Sequence, residues 1–138
     1  MNNNIPRFDV VGIGLNSVDH LCCVDRFPEP NTKNVLKEYS RQGGGQVATA
    51  LAALTKLGLD TAYVGAVGDD DEGKFSIDLL KDAGVNTENV VVQPGLASQT
   101  AVIIVQGEGD EEERGSRTIM WRREVALRPE DIREDVVK

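Results

Sequence analysis

Two styles of hydrophobic pattern divide the chain. Phe8 to Gly14 (FDVVGIG) is an apolar run without polar alternation, which predicts a short strand of a parallel sheet covered on both faces. Thr61 to Val67 (TAYVGAV) predicts a second strand. Between them, Gln46 to Leu57 (QVATALAALTKL) carries Val47, Leu51, Leu54 and Leu57 at spacings of four, three and three. Alanines fill most gaps, so the segment predicts a largely buried helix that Gly58 stops. Glu72 to Ala83 (EGKFSIDLLKDA) predicts an amphipathic helix with Phe75, Leu79 and Leu80 inward and Gly84 closing it. Strand, crossover, helix, strand, helix is an α/β design with right-handed crossovers.

The remaining segments have a β character. His20 to Phe27 reads as extended and is ended by Pro28 and Pro30. Asn34 to Arg41 alternates weakly, with Val35, Lys37, Tyr39 and Arg41 on one side, as in an exposed antiparallel strand. Gly43-Gly44-Gly45 then interrupts the chain. Asn89 to Gln93, Thr100 to Gln106 and Arg117 to Arg122 read as strands, the last two forming a hairpin with a long acidic, mobile tip. Pro129-Glu130-Asp131 opens a predicted final helix, with acids suited to its N-terminal dipole. The sequence ends at Lys138, a few residues into that helix, so the expectation is a piece of a longer protein.

Length and composition narrow the classes. The 138 residues suffice for one domain with a core, and no apolar stretch is long enough to span a membrane. The N-terminus lacks a basic region followed by an apolar stretch, so no secretory signal is read. A net charge of −8, with acids clustered at Asp69 to Glu72 and Glu108 to Glu113, argues against a nucleic-acid surface. GDDDEG lacks the ligand spacing of an EF-hand loop. Cys22 and Cys23 are adjacent and point to opposite faces of a strand, which disfavours both a mutual disulfide and shared metal ligation. Half-buried thiols in a reducing, cytoplasmic setting are expected.

Gly12-Ile13-Gly14, followed by Ser17, resembles the glycine pattern of a dinucleotide-binding turn. Such a turn must lead straight into a helix. Here it leads into HLCCVDRFPEP, rich in β-formers and closed by prolines, so the dinucleotide reading is set aside. The alternative presents Ser17 and Asp19 at the carboxyl end of a parallel strand, where open α/β sheets hold ligands. A short carboxylate accepting two hydrogen bonds there suits a polyol; a turn cap is the plainer role for Asp19. The second constellation is Gln42-Gly43-Gly44-Gly45-Gln46 at a helix start, with free backbone N–H groups and no side chains in the way. Thr49 lies one turn inside. Three glycines can be a hinge; beside a strand-end carboxylate they read as the wall of a small polar pocket.

Taken in order, the segments resemble the PfkB (ribokinase-like) carbohydrate kinases: G-x-x-x-x-D at Gly14 to Asp19 with FPEP after it, GGGQVATALAALTKLG, AYVGAVGDDDEGKF, DAGVNTENV, and QTAVIIVQGEGD followed by GSRTI. The resemblance implies a central, mostly parallel sheet flanked by helices (8–19, 43–93 and 124–138) and a small β lid (20–42 and 98–123). It implies that Asp19 binds sugar hydroxyls, that the sugar lies over Gly44 and Gly45, and that Arg117 is a lid arginine aimed at substrate or phosphoryl oxygens, a task suited to a guanidinium. It also implies pairing into homodimers through the lid. Ser17, Gln46 and Thr49 stand where family members often carry Asn, Lys and Asn, which puts ribose itself in doubt and leaves other sugars, sugar acids or nucleosides open. The family's catalytic aspartate, in G-A-G-D, and its N-x-x-E motif do not occur in the sequence. ATP and magnesium would therefore be held by residues outside it, and none of its own residues is expected to be catalytic. The implied function is the acceptor-binding part and lid of an ATP-dependent sugar kinase, inactive by itself, with a non-catalytic, self-associating sugar-binding module as the alternative.

Overall fold

The computed structural model describes residues 7–107 and 115–136. Within them the chain runs β1 (Val10–Ile13), β2 (Ser17–Val24), β3 (Glu38–Gly44), α1 (Gln46–Lys56), β4 (Thr61–Gly68), α2 (Asp71–Asp82), β5 (Asn86–Gln93), β6 (Thr100–Gln106) and β7 (Arg117–Arg122), with a 3-10 turn at Pro129–Asp131. The strands form two sheets, a three-stranded parallel one in the order β1-β4-β5 and a four-stranded mixed one in the order β3-β2-β6-β7.

The parallel sheet is built around β4, whose residues are nearly all buried. It is this strand, rather than β1, that is covered as a central strand should be; β1 lies at the sheet edge and leaves Ile13 exposed. The core joins Ala48 and Leu51 of α1, Leu80 of α2, Tyr63 of β4 and Val85. Leu51 is 2% exposed and Tyr63 not at all, so each contributes about 2–3 kcal/mol by burial. Burial pushes the Tyr63 hydroxyl pKa up. It stays protonated and donates to the carbonyl of Gly14 at 2.8 Å, fixing the chain where β1 ends.

The mixed sheet is the lid. β2 pairs antiparallel with β3 and parallel with β6, and β6 makes an antiparallel hairpin with β7. One face of the lid sits on the first turn of α2. His20 and Arg41, cross-strand neighbours, both reach Glu72: Nε2 of His20 at 3.3 Å, and Nε and Nη2 of Arg41 at 2.9 and 2.6 Å. The Arg41 guanidinium lies 4.0 Å over the Phe75 ring, and Tyr39 holds the other nitrogen of His20 at 2.8 Å. Cys22 and Cys23 are free and half-buried on β2.

Several boundaries differ from the pattern-based expectation. β2 begins at Ser17, not His20, so Ser17 and Asp19 open a lid strand instead of ending β1. β3 runs through Gly43 and Gly44, which pair with Val18 and Ser17; the break comes only at Gly45, where φ is +89°. β5 starts at Asn86, beyond an irregularity in its pairing with β4. The expected final helix is only the 3-10 turn, because Ile132 takes an extended conformation and ends it. The acidic run at Glu108 to Glu113 and the end of the sequence lie outside the described residues.

Asp70 ties the lid connection to the core. Its Oδ1 accepts from the N–H of Gly73, capping α2, and from the Ser98 hydroxyl, at 2.8 and 2.6 Å; its Oδ2 accepts from the Ser98 N–H at 2.9 Å. Burial pushes this carboxyl up, but the hydrogen bonds from Ser98 and Gly73 outweigh it and hold the group below the ordinary carboxylate range. The native pKa is thus lower than the unfolded one, so the stabilisation is complete above the unfolded value of about 3.9 and disappears as pH falls through the native value. Asp70→Ala should cost about 2 kcal/mol in urea unfolding at neutral pH, and its deficit relative to the parent should shrink steadily in acid.

Candidate functional site

The site starts from one cross-strand pair. Ser17 on β2 faces Gly44 on β3, and alternation along β2 puts Asp19 on the same side. The Ser17 hydroxyl donates to Oδ1 of Asp19 at 3.0 Å. A β-carbon on Gly44 would lie 2.2 Å from Oδ2 of Asp19 and 2.8 Å from the Ser17 hydroxyl oxygen, so the carboxylate rests directly over bare main chain. Ser17 is 4% exposed, whereas Asp19 keeps part of its surface open.

Gly45 turns the chain from the lid into α1. Its φ of +89° favours glycine, and a β-carbon there would meet the backbone of Leu15 and Asn16 at 2.6 and 2.7 Å. The N–H of Ala48 donates to the Leu15 carbonyl, locking the helix start to the β1–β2 link. No side chain caps α1 and no acid stands in its first turn, so the main-chain carbonyl of Leu15 is what meets its positive end.

A cleft of about 410 Å³ extends from this corner across the lid. Ser17, Asp19, Gly45 and Gln46 form its polar end. Ala101, Ile103, Ile119 and Trp121 form an apolar floor and wall, and Gln99 and Arg123 stand at its edge. A carboxylate, a hydroxyl and a helix start at one end can accept from and donate to several hydroxyl groups of one small molecule, while the floor suits its carbon skeleton.

Of the residues singled out from the sequence, Ser17, Asp19, Gly45 and Gln46 line this cleft, and Gly44 lies beneath the Asp19 carboxylate. Thr49 and Arg117 do not line it. Thr49 borders a neighbouring groove of about 220 Å³ between α1 and α2, with Gly43, Gly44, Ser76 and Leu79. Arg117 pairs with Val105 four positions along β7 from Trp121, about 13 Å away at strand rise. The arginine on the cleft is Arg123. Alternation of Ile119, Trp121 and Arg123 was the signal that could have found it, along with the aromatic wall. Among the described residues, no group of three or more His, Cys, Asp or Glu is placed to hold a metal ion.

The two glycines should fail differently. In Gly44→Ala the clash is with the tip of a flexible side chain, so the fold should survive while Asp19 swings off the main chain and loses its Ser17 hydrogen bond. Gly45→Ala meets backbone and a left-handed φ, and should cost about 3 kcal/mol or more. Urea unfolding of both variants, with side-chain NMR of Asp19 in the first, checks the contrast.

Comparison with known proteins agrees with this architecture. Residues 7–118 match the profile of the pfkB family carbohydrate kinases. The nucleoside kinase of Methanothermobacter thermautotrophicus is 31% identical over 100 residues, covering 72% of this chain and 32% of that protein. The ATP-dependent ribose-1-phosphate kinase of Halopiger xanaduensis is 36% identical over 114 residues, covering 80% and 36%. The structure of Arabidopsis thaliana ribokinase complexed with ribose and ATP matches with a TM-score of 0.70 at 25% identity, over 81% of this chain and 35% of that one. The chain thus spans about a third of the length of the curated relatives it matches. By the profile and by its ribokinase-like fold, this chain belongs to the pfkB family of carbohydrate kinases.

Proposed function

We propose that this chain is the acceptor-binding part and lid of an ATP-dependent sugar kinase, which transfers a phosphoryl group from ATP to a hydroxyl of a sugar or related polyol. The observation that carries the reading is the Asp19 carboxylate lying over the bare main chain of Gly44 at the polar end of a lid-covered cleft. In this reading Asp19 accepts hydrogen bonds from two acceptor hydroxyls, and Ser17 orients the carboxylate through its 3.0 Å hydrogen bond. Gly44 and Gly45 let the sugar approach the main chain, and Gln46 supplies a carboxamide at the helix start. Thr49 and Arg117 stand outside the cleft and take no direct part.

Phosphoryl transfer also needs a base for the attacking hydroxyl and charge neutralisation on the donor. The sequence contains neither G-A-G-D nor N-x-x-E, so ATP, magnesium and the catalytic aspartate belong to other residues of the intact protein, and this stretch alone should be inactive. A cytoplasmic setting, where Cys22 and Cys23 stay reduced, is part of the reading. The names of the relatives, a nucleoside kinase and a ribose-1-phosphate kinase, support an acceptor containing a sugar ring.

A second reading is a non-catalytic sugar-binding module that self-associates through the lid. It is favoured by the exposure of Ile119, Met120 and Trp121 on the edge strand β7, Trp121 being 67% exposed. A lid-to-lid homodimer fits either reading.

Asp19→Ala in the intact protein should leave the fold in place and lower kcat/KM for sugar phosphorylation about a hundred- to a thousandfold, the loss of two hydrogen bonds to a charged acceptor. A coupled ATP-turnover assay over a sugar panel measures it. Unchanged sugar kinetics would remove Asp19 from the site, and sugar binding without any ATP turnover would favour the module.

A further inference from the structure

We infer that Glu72, in the first turn of α2, is a positioning residue for the acceptor: it fixes the angle at which the lid presents the Asp19 carboxylate. The inference rests on the kinase reading of the cleft and extends it to a side chain on the opposite face of the lid.

The chain enters and leaves the lid at one end. Ser17 opens β2, Gly44 closes β3, Thr100 opens β6 and Arg122 closes β7. These residues are neighbours in register: Ser17 pairs with Gly44, Val18 with Thr100, and Thr100 with Arg122. The hold of Asp70 on Ser98 lies at the same end, just before β6 begins. Attachments along one line fix where a sheet pivots and leave its angle free.

Glu72 grips the lid above that line. Its Oε1 faces Nε2 of His20 at 3.3 Å, and its Oε2 accepts from Nε and Nη2 of Arg41 at 2.9 and 2.6 Å. One carboxylate thus gives an oxygen to each of two lid strands, at the rung where His20 and Arg41 pair. That rung is three residues beyond Ser17 and Gly44, about 10 Å at the rise of a strand, which gives it leverage over the angle. The Arg41 guanidinium also donates to the Asp71 carbonyl at 3.3 Å and lies 4.0 Å over the Phe75 ring, so the first two turns of α2 hold it. The side chains of His20, Arg41 and Glu72 are 21, 32 and 24% exposed, which limits solvent screening of the contact.

The helix side of the grip is rigid. Asp70 caps α2 by accepting from the Gly73 N–H at 2.8 Å, and a β-carbon on Gly73 would meet the Gly68 carbonyl oxygen at 2.3 Å. The helix start is therefore seated against the end of β4. Asp19 lies between the pivot line and the grip: His20 follows it on β2, and its partner Gln42 follows Arg41 on β3. A lid free to rotate spreads Asp19 over positions of which only a fraction suits the acceptor, and the apparent affinity falls by that fraction. Held by Glu72, the carboxylate is in place before the acceptor arrives, and binding does not have to order the lid.

The test uses the intact protein. Ribose, fructose, uridine and ribose 1-phosphate are screened by calorimetry without ATP, and the one bound most tightly serves as the probe. Glu72→Ala should raise the Kd and KM of that probe about tenfold, with kcat and the KM for ATP within about twofold of the parent. Glu72→Gln, which keeps the length and one acceptor oxygen, should lose less. Arg41→Gln, which releases the grip from the lid side, should reproduce the loss. In an Asp19→Ala background, Glu72→Ala should add less than about twofold, because nothing is left to position. The carboxyl 13C resonance of Asp19, assigned by its loss in Asp19→Ala, should shift or broaden in Glu72→Ala without ligand. An unmoved resonance, probe binding equal to the parent's, or the same loss with Asp19 absent each overturns the inference and leaves the kinase reading intact. A probe that binds Asp19→Ala as tightly as the parent overturns the acceptor site itself, and the inference with it. Glu72-dependent binding without any ATP turnover supports the inference and sinks the kinase reading instead.

Discussion

The β-carbon that Gly44 lacks would sit 2.2 Å from a carboxylate oxygen of Asp19, and the rest of the site follows from that missing atom. Because β3 can lie this close to the side chains of β2, the Ser17–Gly44 pair closes the sheet without pushing Asp19 outward. One residue later, Gly45 takes a φ open to glycine and sends the chain into α1. The last pair of the lid and the first turn of a core helix are thus separated by a single residue. The helix start is pinned in turn to the β1–β2 link by the Ala48 N–H on the Leu15 carbonyl, and that link is pinned from below by Tyr63 on the Gly14 carbonyl. Polar groups needed at one point in space come from segments far apart in sequence, held by main-chain contacts together with the buried Tyr63 hydroxyl and the Ser17 hydroxyl.

The lid hangs from the core at three places. The first is the β3–α1 turn. The second is Asp70, which caps α2 while holding both the N–H and the hydroxyl of Ser98, just before β6. The third is Glu72, gripped by His20 and Arg41 on the lid face opposite the cleft. The alternation of a strand makes this third contact matter for the cleft: His20 and Asp19 are neighbours on β2 with opposite directions. Whatever holds His20 against α2 also sets the tilt of Asp19. Arg41 and Gln42 stand in the same relation on β3. A single exposed ion pair is worth little, but here the partners are partly buried, a guanidinium and an imidazole share one carboxylate, and an aromatic ring backs the guanidinium.

The core was legible because its signals are local. The spacing of Val47, Leu51 and Leu54 places α1 almost to the residue, although only Ala48 and Leu51 are buried on it and Leu57 is exposed beyond its end; β4 is a run of small and branched apolar residues. The lid was legible only in outline. Ser17 and Asp19 break the apolar pattern, so β2 reads as starting after them, although it is the pairing with β3 that extends the strand over both. Gly43 and Gly44 read as a break because glycine disfavours strands in isolation; across from Val18 and Ser17 they are held in one by close approach. Pro129-Glu130-Asp131 has correct helix-start chemistry, and the Asp131 carboxylate does cap the N–H of Arg128 at 2.9 Å, yet Ile132 turns extended and ends the helix after one turn. Asp19 and Gly44 could be matched from motif order. For Arg123, alternation groups it with Ile119 and Trp121, but which face of β7 looks into the cleft depends on the register with β6.

The glycines at Gly12 and Gly14 now have a physical account that also explains why they are not a dinucleotide turn. In such a turn the N–H groups after the glycines stay free at a helix start to hold a pyrophosphate. Here the residues that follow enter β2, and the N–H of Val18 is already spoken for by the carbonyl of Gln99 at 3.0 Å. The anion-friendly helix start exists, but it is displaced some thirty residues onward, to Gly45 and α1. It returns beside the first segment through the lid strands β2 and β3. The chain has split between two segments what a dinucleotide fold does in one: a strand start that presents a carboxylate, and a glycine-led helix whose first turn carries no side-chain cap. Their reunion produces a pocket with both acceptors and donors at one corner, which is the requirement of a hydroxyl-rich ligand and not of a pyrophosphate.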